Sequence, residues 1–98
     1  MSIYEDYFKH TNDYKTIYGE QTVVLMQVGA FFEVYGIKNI DTDIITGSNI
    51  EKLAEICRLN ISTKAQPYGN NEQIVMAGFR DFTVDTYITQ LVENGYSV

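Results

Sequence analysis

Residues 28–36, VGAFFEVYG, decide how the rest of the chain is read. The run is rich in β-branched and aromatic residues, which favour extended backbone. A carboxylate, Glu33, sits in the middle of it. Side chains alternate with a period of two along a strand. Phe31, Glu33 and Tyr35 therefore share one face, and Phe32 and Val34 share the other. If Phe32 and Val34 face the core, an exposed phenylalanine stands beside an acid. That pairing has two readings: a solvated strand face, or a two-residue tool that points away from the core.

Upstream, TVVLMQV (22–28) predicts a buried strand, interrupted by a kink or bulge at Gly29 and resuming over 30–35. Residues 2–18 predict a helix. Ser2 and Glu5 have the spacing of a capping box, and Tyr4, Tyr7, Phe8, Thr11, Tyr14 and Tyr18 follow one helix face. Thr11-Asn12-Asp13 is a candidate break, and Gly19 a stop. Downstream, GIKNIDTDIITG is a polar connection in which Ile44-Ile45 forms a short strand or turn. Ser48 and Glu51 repeat the capping-box spacing before a helix over 49–58, where Ile50, Leu53, Ala54 and Cys57 make an apolar stripe. LNISTK (59–64) reads as a strand, AQPYGNN (65–71) as a loop and QIVMAGF (73–79) as a strand. A last helix runs from about residue 83 to 94, with Asp81 near its cap and Val84, Tyr87, Ile88, Leu91 and Val92 on one face. The alternation predicts one α/β domain: a mixed β-sheet of about five strands flanked by three helices. The final NGYSV reads as the start of another strand, as expected of a fragment of a longer protein.

Composition narrows the function classes. The 98 residues carry 13 acidic and 7 basic side chains, a net charge of −6. That balance argues against binding nucleic acid mainly through phosphates, which needs clustered Lys and Arg. One cysteine, Cys57, excludes an internal disulfide and fits a reducing, intracellular compartment. No apolar run approaches the roughly 20 residues of a membrane span.

Catalytic patterns are missing. There is no P-loop, G-x-G-x-x-G or G-x-S-x-G. His10 and Cys57 do not make a zinc site alone. Asp41 and Asp43 read as solvated loop acids, and no E-x-K triplet supports a nuclease metal site. The residues point to a binding module without metal or catalytic groups.

Phe31 and Glu33 then carry a resemblance. VGAFFEVYG resembles the F-x-E segment of the MutS mismatch-repair family, with Gly29, Phe31, Phe32, Glu33 and Tyr35 in order. YKTIYGEQTVVLMQVG, NIEKLAEICRLNIST and IVMAGFRDFTVDTYITQLVENGYSV resemble its flanking segments, so the likeness covers nearly the whole chain, read as one domain over 1–98. Departures mark a divergent branch: Val75 stands where a Pro precedes M-A-G, and Arg80-Asp81-Phe82 where Pro-Tyr-His is usual. The resemblance implies a mismatch-recognition domain in which Phe31 stacks on a mispaired base and Glu33 hydrogen-bonds it. It implies double-stranded DNA with mispairs or small loops as partner, beside the remaining domains of a dimeric parent. It places no cofactor in these residues, and ATP with Mg in the longer family chain. A protein-interaction domain of the same fold that has lost DNA contact is the alternative.

Overall fold

The stretch read as one kinked strand folds back on itself. Met26–Val28 (β1) and Phe31–Asn39 (β2) pair antiparallel, Val28 opposite Phe31, across a two-residue turn of Gly29 and Ala30. Gly29 has φ +59°, and Ala30 is not among the residues with positive φ. Positive φ at the first central residue alone is the type II′ pattern, whose twist suits a hairpin. Gly29 is thus a chain reversal, not a bulge within one strand. The computed structural model in which this is seen describes residues 3–98, with the backbone alone for 65 and 66.

β2 is the centre of the sheet. Along one edge it pairs over its whole length with Glu72–Arg80 (β5), from Phe31 opposite Arg80 to Asn39 opposite Glu72. Its other edge is shared by β1 and the two-residue Ile45–Thr46 (β3). Ser62–Gly69 (β4) lies outside β5 and completes five strands. All these pairings are antiparallel. Among the described residues, the parallel component of the expected mixed sheet is a single bridge, Thr22 to Ser97. It is held by Val23 N–H to Ser97 O at 2.7 Å and Ser97 N–H to Gln21 O at 2.9 Å. Residues 22–25 have that one bridge as their pairing, so the first strand starts at Met26 and not at 22.

The expected loop over 65–71 is mostly strand. β4 runs through Gly69, and Asn70 and Asn71 alone make the reversal, with Asn71 at φ +58°. Pro67 is tolerated because β4 is an edge, where a missing N–H removes no central ladder bond. The register shifts on both sides of it.

Helices cover both faces. Ile3–Tyr18 (α1) is continuous through the candidate break, since Thr11 Oγ1 donates to Tyr7 O at 2.8 Å and stays within the helical path. The Ser2 end of its expected capping box lies outside the described residues. α1 lies on the Tyr35 face, where the Tyr4 and Tyr7 rings meet Tyr35 edge-on at 5.0 and 5.1 Å. Ile50–Cys57 (α2) and Val84–Glu93 (α3) lie on the other face. Gly36 admits α2: a Cβ there would come within 2.8 Å of Ile50 Cγ2. Tyr87 of α3 packs on Phe79 of β5, ring centroids 4.4 Å apart. A 3₁₀ turn, Asp81–Thr83, leads into α3. Tyr7, Val34, Ile50, Leu53, Val75 and Leu91 are almost wholly buried.

The second capping box resolves differently from its spacing. The residue before α2 is Asn49, and its amide leaves the helix to donate to Glu20 O at 2.7 Å and Thr22 O at 2.9 Å. Ser48 accepts from Ile50 N–H at 3.3 Å and donates to the Tyr35 carbonyl. The hydroxyl ties helix to sheet, a long-range role that local spacing does not encode.

Candidate functional site

Period-two alternation places Phe31, Glu33 and Tyr35 on one face of β2, and the register adds Arg80, Gly78 and Met76 of β5 opposite them. Burial along that face is graded. Tyr35 is 3% exposed beneath α1, Glu33 is half-buried, and Phe31, next to the turn, is 42% exposed. On the other face Val34 is 1% exposed and Phe32 half-buried against Phe79. The expectation of an exposed face opposite a core face therefore holds at Phe31 and fails at Tyr35. The physical reason is α1, which covers one end of the strand and leaves the turn end open.

Glu33 is held in place. Its Oε1 accepts a hydrogen bond from the Tyr35 hydroxyl. Burial first, and the adjacent Glu33 carboxylate second, hold the Tyr35 phenol well above the usual tyrosine range. At neutral pH Tyr35 is therefore the donor. A carboxylate has two acceptor oxygens, so one such bond leaves Glu33 with capacity toward a further donor. Gly78 supplies the room. A Cβ at that position would lie 2.9 Å from Phe32 O and 3.3 Å from Glu33 Cγ.

Phe31 is not bare. Arg80, directly opposite on β5, sets its guanidinium carbon 5.2 Å from the Phe31 ring centroid, a cation–π distance. The hairpin turn is braced from below by Asp81 N–H donating to Ala30 O at 2.8 Å. The turn end of the sheet thus presents a cation, a ring and an anion on one face.

The other sequence candidates lie elsewhere. His10 is exposed on α1, and Cys57 is buried, which pushes its thiol up. Asp43 pairs with Lys38 at 3.6 Å, while Asn39 Oδ1 accepts from the Asp41 and Thr42 N–H groups. No three His, Cys, Asp or Glu residues come together to hold a metal among the described residues. No helix among them is long and apolar enough to cross a membrane. Sequence reasoning missed Arg80 as a neighbour of Phe31 and Gly78 as the seat of Glu33. It registered Arg80 only as a departure from a family pattern; the signal lies in the β2–β5 register, which the residues do not display.

Comparison with family models gives a match to MutS domain I over residues 7–98. Comparison with curated proteins gives no match.

Proposed function

The chain belongs to the MutS domain I family, the mismatch-recognition module of the MutS proteins, and from that premise we propose that Phe31 is the wedge and Glu33 the base-contacting acid. Phe31 enters the minor groove at a mispair and stacks on one of its bases. An apolar wedge between base steps unstacks and kinks the duplex at a cost of about a few kcal/mol. A mispair has already lost part of its pairing, so it deforms at lower cost than a matched step. One stacked base returns about 1–3 kcal/mol. Discrimination then arises from deformability, without a code of base edges. Glu33 accepts a hydrogen bond from the displaced base, held at a fixed height by Tyr35.

The domain is a DNA-binding module and not a catalytic one. The chain has no P-loop sequence, and ATP with magnesium is assigned to the longer family chain. With a net charge of −6, the backbone grip is assigned to the remaining domains of a longer, dimeric parent.

One observation carries the proposal. Phe31 is exposed on a strand whose Val34 and Tyr35 are core residues, and it is the residue of that face nearest the turn. The net charge favours the competing protein-interaction reading. Titrating the ¹⁵N-labelled chain with a G·T-containing duplex and with its matched counterpart tests both. Larger shifts at residues 29–33 and 78–81 with the mispaired duplex support the wedge. Equal, featureless shifts, or none up to millimolar duplex, sink it.

A further inference from the structure

The domain carries almost twice as many acids as bases, yet one of its seven bases stands over the wedge. Lys38 and Lys52 are engaged with Asp43 and Glu55. Arg80 is exposed and makes no ion pair among the described residues. Its position is set by the backbone: it is the last residue of β5, in register with Phe31. We propose that Arg80 is a second DNA-contacting residue of this tip, one that orients the Phe31 ring and binds a backbone phosphate beside the mispair. This rests on the wedge reading of Phe31.

Geometry gives the ligand. The minor groove is about 6 Å wide. A guanidinium carbon 5.2 Å from the ring centroid cannot follow the ring to the groove floor without meeting a groove wall, and that wall is rimmed by phosphates. Guanidinium matches a phosphate with two parallel N–H donors, and its flat face stacks on an aromatic ring. The group thus has two uses: its charge over the Phe31 ring, and its N–H edge toward the phosphodiester. Phosphate contacts fix register without reading sequence, which is what a wedge requires to meet one base step squarely. In the free protein the same group shades a ring that is 42% exposed.

The experiment compares wild type, Arg80→Gln, Arg80→Lys and Phe31→Ala, each titrated with mispaired and matched duplex between 50 and 200 mM salt. Arg80→Gln is expected to weaken binding to both duplexes about 3- to 10-fold, and to flatten the plot of log affinity against log salt by about 1. Arg80→Lys is expected to keep the salt slope, because the charge stays, but to lose part of the mismatch preference, because a planar stack on Phe31 is gone. Phe31→Ala is expected to lose the preference and keep the slope. If Arg80→Gln leaves affinity and slope unchanged while Phe31→Ala still erases the preference, the Arg80 inference falls and the wedge stands. If wild type shows no preference for the mispaired duplex, the wedge falls, and the inference about Arg80 falls with it.

Discussion

Gly78 lies directly across the ladder from Glu33, and a Cβ there would meet the Phe32 carbonyl oxygen at 2.9 Å. The acid keeps its place because its neighbour has no side chain. The atom in the way is backbone, so a larger residue does not fit by rotating a flexible group aside. Gly78→Ala is expected to destabilise the fold by about 1–3 kcal/mol, the usual range for overpacking. It should also shift the amide signals of Phe32 and Glu33 in the free protein. Urea unfolding and a ¹⁵N spectrum check both; an unchanged midpoint would mean that the two strands separate at no cost.

Phe31 and Phe32 separate packing from contact. Phe31→Ala should cost within about 1 kcal/mol of stability, because an exposed ring contributes little packing. Phe32 is half-buried, bordered by Phe79 and by a groove that Val84 and Ile88 also line. Its truncation should cost about 2–3 kcal/mol, below the roughly 3–5 of a fully buried ring. Denaturation midpoints give the order. Phe31→Ala as the more damaging of the two would mean the assignment of faces is inverted.

Tyr7 is wholly buried, its hydroxyl donates to Val24 O at 2.8 Å, and burial pushes its phenol up to about 12. A pKa raised above the unfolded value near 10 stabilises the fold fully below pH 10. That stability is lost as pH rises from about 10 through about 12, where the unfolded chain ionises first. Two units correspond to about 2–3 kcal/mol. Stability measured by urea unfolding should therefore fall across this window. Tyr7→Phe, though less stable at pH 7, should show a shallower fall.

Ser48 and Leu53 test α2 in two ways. Ser48→Ala removes the acceptor for Ile50 N–H and the donor to the Tyr35 carbonyl, and should cost about 1–2 kcal/mol. Leu53 is wholly buried, and Leu53→Ala should cost about 2–5 kcal/mol through a cavity. A Glu51→Gln control should be nearly silent, since Glu51 is exposed and its capping-box spacing is not the contact that holds the helix. A large effect at Glu51 with none at Ser48 would restore the local reading.

The helices were legible because their signals are local. The 3–4 spacing of Tyr4, Tyr7, Phe8 and Thr11, and of Ile50, Leu53, Ala54 and Cys57, needs no distant partner. Gly19 does end its helix, at φ +102°, and Gly95 follows the end of α3 at φ +87°. Strand limits were less legible. Apolar residues on both sides of Gly29 looked like one interrupted strand, since Gly-Ala lacks the Asn-Gly or Asp-Gly mark of a tight hairpin. Pro67 looked like a loop residue because only the sheet order makes β4 an edge.

The sequence by itself determined the three helices, the alternation that separates Phe31 and Glu33 from Phe32 and Val34, and the five ordered positions of the F-x-E segment. Those follow from periods of 3.6 and 2, which are properties of a single chain segment. Only the tertiary structure decided that Tyr35 is core while Phe31 is open, that Gly78 seats Glu33, and that Arg80 stands over the wedge. Each of those depends on which strand lies opposite which and where a helix stops covering the sheet. Cross-strand register joins Glu33 to Gly78 and Phe31 to Arg80 across long stretches of chain, and no local pattern of side chains carries that pairing.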